Sequence, residues 1–169
     1  LRAPETVRSG DPLAVEFAFG PGAHSAALQV PAEALVKQRG QDSITALAAV
    51  PLGLPDTTWE VVGSAVDEFG RTVSETKSVL VLGDTEPVQE LNMTASQLSV
   101  ISDEGRALEA RELERAYAQA TPERLWAGAF QLPIDGRYTS GFGRARRYAP
   151  GGPVSFHVGT DIAAPTGTP

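Results

Sequence analysis

The sequence predicts a mainly β protein in three parts, and three observations predict it. Across residues 1–83, short alternating apolar and polar runs recur between glycine and proline breaks, the pattern of half-buried strands. Residues 104–120 are charged, free of proline and periodic in the manner of a helix. From 130 to 169 glycines, prolines and short apolar runs return, which argues for strand and loop. The expected architecture is an immunoglobulin-like β-sandwich at 1–83, a linker and helical connector at 84–129, and the first strands of a second β-rich domain at 130–169.

Taken in order, Val7 to Pro12 is expected to be a turn. Residues 13–19 then alternate, with Leu13, Val15, Phe17 and Phe19 on one face and Glu16 on the other. Gly20-Pro21-Gly22 is a turn, and 24–30 and 44–50 are further strands. Residues 58–66 alternate again, and Asp67-Glu68-Phe69-Gly70 turns the chain into a strand at 72–82. Short strands at this spacing suit a β-sandwich, with Trp59 expected in its core and no cysteine pair beside it. His24, after a turn, is expected at the surface.

Gly83 to Leu91 is expected to be a boundary, interrupted by Pro87, Asp84, Glu86 and Glu90. Thr94-Ala95-Ser96-Gln97 has the form of a capping box, and Ser102 or Asp103 is a second candidate cap. The helix at 104–120 carries a narrow stripe of Leu108, Leu113, Ala116, Tyr117 and Ala120, expected to be core. Glu112–Arg115 and Arg111–Glu114 are its i,i+3 pairs, each worth only a few tenths of a kcal/mol, roughly. Thr121-Pro122 has the form of an N-cap with proline at the first helical position. It opens a short helix ending near Trp126-Ala127-Gly128, with Trp126 and Phe130 docking the connector. Beyond it, 131–133 is expected to be extended, Asp135-Gly136 a turn, and 138–142 a strand.

Composition narrows the function. The chain of 169 residues is 41% hydrophobic and 21% charged, ordinary for a globular protein. No apolar run approaches the length of a membrane span. Residues 1–10 hold no long apolar core of a signal peptide, so a mature form and a cytoplasmic one both stay open. With no cysteine, disulfides and thiolate zinc sites are excluded. The net charge of −7 and the lack of a long basic stretch disfavour nucleic-acid binding. The charge is uneven, since 131–169 holds four arginines against Asp135 and Asp161.

One of only two histidines, His157, lies in that last stretch, four residues before Asp161. Imidazole nitrogen and carboxylate oxygen are both zinc ligands. Gly151, Gly152, Pro153, Gly159 and Pro165 around them argue for loop and strand rather than a helix face. Arg144, Arg146 and Arg147 are candidates to hold a substrate carboxylate through planar bidentate contacts, and Tyr148 to line a groove. Solvated arginines and a packed tyrosine are the plainer alternatives. Gly141 and Gly143 suit either close backbone approach to a substrate or a β-bulge.

Three runs carry a resemblance. They are Thr139-Ser140-Gly141-Phe142-Gly143-Arg144, Phe156-His157-Val158-Gly159-Thr160-Asp161-Ile162-Ala163-Ala164-Pro165, and Gly167-Thr168-Pro169. Together they resemble the start of the catalytic domain of lysostaphin-type (LytM-like) zinc metallopeptidases, which cut peptide cross-links of bacterial peptidoglycan. More weakly, Ala49-Val50-Pro51-Leu52-Gly53-Leu54, the strand around Trp59 and Glu68-Phe69-Gly70-Arg71 resemble the β-sandwich that precedes the peptidase in some members. The resemblance implies a zinc endopeptidase, secreted, periplasmic or in the cell envelope, with His157 and Asp161 as two of three protein ligands of Zn2+. It places the third ligand, and the histidine that helps activate water, in a His-x-His pair expected beyond Pro169. The expectation is therefore an incomplete chain that binds zinc loosely and hydrolyses nothing alone: a fragment of a longer protein or one completed by a second chain or copy, rather than a naturally short chain with a decayed peptidase remnant. The alternatives are a non-catalytic envelope protein that binds or regulates wall hydrolases, and a β-sandwich acting as an adhesion module.

Overall fold

The computed structural model describes residues 1–32, 34–99, 102–119, 121 and 125–168. The protein is mainly β, and the chain divides into two units, Leu1–Thr85 and Glu86–Pro169.

The first unit is built from β1 (Thr6–Arg8), β2 (Pro12–Ala18), β3 (Ala23–Gln29), β4 (Ala34–Arg39), β5 (Ser43–Ala49), β6 (Thr57–Asp67) and β7 (Thr72–Leu82). Its four-stranded sheet has the order β1-β7-β6-β3 and its three-stranded sheet the order β2-β5-β4. Only β1 lies parallel to its neighbour, with Val7 opposite Val81; the other pairs are antiparallel. Both sheets feed one core. Leu13, Val15, Phe17, Ile44 and Ala46 come from one, and Val7, Leu28, Val61, Val79 and Val81 from the other. The period-two alternation of a strand produces this, since every second side chain faces inward. Leu13, Val61, Val79 and Val81 are fully enclosed, and burying such a side chain is worth about 1.5–3 kcal/mol each.

One contact fixes how closely the sheets approach. A Cβ on Gly63 would lie 2.3 Å from the ring of Phe17. Glycine in β6 therefore makes the socket in which the aromatic ring of β2 sits. Along one side of the sandwich, Lys37 and Arg39 of β4 donate to the carbonyls of Leu28 and Ala26 on β3, at 2.9 and 3.1 Å. These two strands are the sheet edges, and the cations satisfy carbonyls that would otherwise offer a template for further pairing.

The β6–β7 hairpin closes on Asp67. Its carboxylate accepts from the backbone N–H of Arg71 and Phe69 and from Arg71 Nε, at 2.8, 2.9 and 2.7 Å. Gly70 takes the left-handed backbone the turn needs, with φ of 77°. The Arg71 backbone N–H foremost, then its side chain and the Phe69 N–H, hold the Asp67 carboxyl below the usual range.

Two strands differ from the sequence expectation. The turn expected from Val7 to Pro12 begins only at Ser9, because Thr6–Arg8 forms β1. β4 lies where no strand was expected; its one half-buried side chain is Val36. Neither shows a readable period, β1 for shortness and β4 for exposure. Trp59 is half-buried and packs against the core's margin rather than within it.

The second unit contains β8 (Gln89–Glu90), α1 (Ala95–Leu98), α2 (Asp103–Tyr117), β9 (Arg137–Ser140), β10 (Ala145–Arg147), β11 (Val154–Phe156) and β12 (Asp161–Ala163). It has a β11-β10-β8 sheet and a β12-β9 pair. Residues expected to be linker are thus part of a sheet: β8 runs parallel to β10, with Gln89 opposite Arg146 and Glu90 opposite Arg147. The capping box is present, Thr94 and Gln97 each satisfying the other's backbone N–H, and Ser102 caps α2. The stripe on α2 is a correction. Leu108, Leu113, Ala116 and Tyr117 are exposed; Ala120 lies outside the described residues. Eight of the fifteen residues of α2 are charged, so its stripe is too narrow to demand cover. Of the two expected pairs, Glu112–Arg115 closes at 3.2 Å. The short helix from Thr121-Pro122 falls largely outside the described residues, and Leu125–Ala127 is irregular. Trp126 and Phe130 pack on each other, centroids 5.9 Å apart, and Phe130 is 80% exposed.

Two outcomes are expected. Gly63→Ala drives a methyl into the Phe17 ring and lowers stability by about 1–3 kcal/mol in urea unfolding, part of which Phe17→Leu restores. Unchanged stability would remove Gly63 from its role as socket. Asp67, with its lowered pKa, supports the turn above the unfolded-state value and loses that support as pH falls through the folded one. The amide signals of Phe69 and Arg71 should therefore move together in an acid titration, below the ordinary carboxylate range.

Candidate metal centre

His157 and Asp161 are brought together by strand pairing rather than by a helix. The β10–β11 ladder sets Ala145 opposite Phe156. It continues one step further, as Gly143 N–H donates to the His157 carbonyl and His157 N–H to the Arg144 carbonyl, at 2.7 and 2.9 Å. Gly143, at φ 83°, makes the turn that feeds β9 into β10. After His157, a loop through Gly159 leads into β12, where Asp161 pairs with Ser140 of β9. The Thr139 hydroxyl donates to the Asp161 carbonyl at 3.1 Å. Each residue is thus held by backbone bonds to a separate strand.

The side chains then face each other. His157 Nε2 lies 3.3 Å from Asp161 Oδ1, with His157 14% and Asp161 52% exposed. His157 Nδ1 lies 2.9 Å from the Gly141 carbonyl. A carbonyl only accepts, so Nδ1 carries the proton, and in the neutral ring Nε2 presents its lone pair to the carboxylate. Nε2 and Oδ1 both present lone pairs to the space between them, where a small cation would find two donors. A tetrahedral ion with bonds of about 2.0–2.1 Å spaces its ligands by roughly 3.3 Å. The hydrogen bond from Nδ1 to a backbone carbonyl is the outer contact that fixes a ligating imidazole. A Cβ on Gly159 would stand 3.6 Å from Nε2, so glycine there leaves that side of the nitrogen open. The pair fits a small divalent cation as two donors. Among the described residues no third His, Cys, Asp or Glu joins them.

The arginines do not converge on open space. Arg144 Nη1 donates to Glu86 at 2.7 Å, and Arg147 pairs with Glu90 and donates to the Gly152 carbonyl at 3.0 Å. Arg146 Nη2 donates to Ser140 Oγ at 2.6 Å and to Asp161 Oδ2 at 3.3 Å, and its Nε to Gln89 Oε1 at 3.3 Å. Tyr148 is half-buried, and its carbonyl accepts from Met93 N–H at 2.9 Å. Ser140 Oγ lies 3.5 Å from His157 Nδ1, farther than the Gly141 carbonyl. The partners Glu86, Gln89 and Glu90 lie more than fifty residues upstream of their arginines, and no spacing rule links them. His24 is exposed.

No protein-family model matches the chain, and no curated protein matches it. No helix among the described residues is long and apolar enough to cross a membrane.

In its neutral form the His157 ring is expected as the Nδ1–H tautomer, read from the two ring nitrogen shifts in NMR. An Nε2–H ring would mean that the Gly141 carbonyl does not orient it.

Proposed function

We propose that the protein is a zinc-dependent endopeptidase that hydrolyses peptide cross-links of bacterial peptidoglycan, acting outside the cytoplasm, with His157 and Asp161 as two of the metal's protein donors. The observation that carries the reading is the opposition of His157 Nε2 and Asp161 Oδ1 at 3.3 Å, with Nδ1 tied to Gly141. The resemblance of 139–144 and 156–165 to lysostaphin-type peptidases supplies the substrate class. A bound zinc ion contributes Lewis-acid polarisation of a carbonyl and acidifies water. The chain's own residues contribute orientation. The Gly141 carbonyl sets the imidazole, the β9–β12 pairing sets Asp161, and the Gly143 turn joins β9 to β10, so that the segments holding Asp161 and His157 follow each other directly.

A second reading has its own support. Two donors are fewer than the three protein ligands of a catalytic zinc site, and Arg144 and Arg147 already hold carboxylates of this chain. A non-catalytic envelope protein that binds or regulates wall hydrolases accommodates both facts.

Zinc titration of the 169-residue chain should show weak binding of about one ion, lost in His157→Ala and measurably weakened in Asp161→Asn. The same chain should release no fragments from purified cross-linked peptidoglycan. Fragments released by the protein expressed in its native source, seen in mass spectra and abolished by chelator and by His157→Ala, support the peptidase. Zinc binding without release selects the non-catalytic protein, and zinc binding indifferent to both substitutions overturns the metal site.

A further inference from the structure

We propose that Arg146 is a positioning residue of the His157–Asp161 pair and not a substrate-binding one; the inference rests on the metal-site reading above. Its guanidinium is the least exposed of the three arginines' side chains, at 13% against 37% for Arg144 and 29% for Arg147. It is also the one tied into the site. Nη2 meets Ser140 Oγ and Asp161 Oδ2, and Nε meets Gln89 Oε1. A guanidinium is a planar fork of fixed donors, so these contacts set its place from β8 and β9 as well as from its own strand, β10.

The consequence falls on Asp161. A carboxylate has two oxygens, and here they are divided: Oδ2 accepts from Arg146, and Oδ1 faces His157 Nε2. Offering both oxygens to one cation would set Oδ2 between that cation and the Arg146 guanidinium, whose like charge opposes it. Arg146 thus makes Asp161 a one-oxygen donor beside an imidazole. That arrangement suits a small four-coordinate ion, whereas larger oxygen-seeking ions such as Ca2+ take two-oxygen carboxylates and more ligands. A lysine cannot reproduce this, because a single ammonium on a flexible stem cannot reach Ser140, Asp161 and Gln89 in one plane.

The test is a double-mutant cycle read by zinc affinity, measured by competition with a chromophoric chelator on the chain, with no activity required. Arg146→Gln is made alone and together with Asp161→Asn. If Arg146 acts through the carboxylate, the substitution weakens zinc about tenfold in the wild-type background and less than about twofold beside Asp161→Asn, and Arg146→Lys recovers only part of the loss. A merely structural role gives equal losses in both backgrounds, which overturns the proposal, as does unchanged or tighter binding in Arg146→Gln. Exchange protection of the Leu91 and Met93 amides, bonded to the Arg147 and Tyr148 carbonyls, reports whether the β8–β10 pairing survives. Where Arg146→Gln loses that protection, the cycle is scored with Arg146→Lys by the same rule. Should His157→Ala and Asp161→Asn both leave zinc affinity unchanged, the metal site and the Arg146 role fall together. Should both weaken it while Arg146→Gln does not, only the Arg146 role falls.

Discussion

The Arg146 guanidinium is where the two small sheets of the second unit meet. It stands on β10, and its donors reach Gln89 on β8, Ser140 on β9 and Asp161 on β12. Little else among the described residues of that unit can take its place. Ala145, beside it, is the only buried hydrophobic residue among the described residues of that unit. A cation shielded to this degree tolerates its partial desolvation only while its acceptors are in place. Asp161 in turn would lose one oxygen's partner without it. The candidate ligands are therefore placed by strand pairing and polar contacts rather than by an apolar core.

The first unit works by the opposite means. Its two sheets enclose one apolar core, and the close approach of Phe17 to Gly63 sets the fit. Charges there serve the margins, where Lys37 and Arg39 cover the β3 edge and Asp67 closes a turn. Charge screening does not act on apolar burial, whereas ion pairs at partly exposed sites are screened. Ionic strength is accordingly a lever on the second unit far more than on the first.

This contrast also governs what was legible in the sequence. β2, β5 and β6 announce themselves because a sheet with one buried face writes its period into the chain. β1 is three residues long, and its partner β7 lies more than seventy residues away, so no local pattern could reveal it. The capping box and the Ser102 cap were legible because a cap is a local hydrogen bond. The burial of α2 was not, since a stripe states which face is apolar and not whether anything covers it. At the site, His157 and Asp161 stood out in the sequence by their spacing and the loop residues around them, and the fold sets their side chains 3.3 Å apart. The sequence also singled out Arg146, but as a carboxylate clamp for a substrate. In the fold its guanidinium meets a carboxylate fifteen residues downstream and a glutamine fifty-seven upstream, a relation only the folded sheet creates.

The same energetics divide the three arginines by what they are free to do. Arg144–Glu86 and Arg147–Glu90 are partly exposed pairs, and such pairs contribute roughly 0–1 kcal/mol. A substrate carboxylate of comparable geometry exchanges with Glu86 or Glu90 at little net cost, because one screened pair replaces another. Arg146 has no such freedom. Withdrawing it toward a substrate breaks bonds to Ser140 and Asp161 in a shielded position, and the charges left behind are not repaid by solvent to the same extent. Of the three, Arg144 and Arg147 are therefore the arginines able to exchange partners at small cost, while Arg146 stays with Ser140 and Asp161.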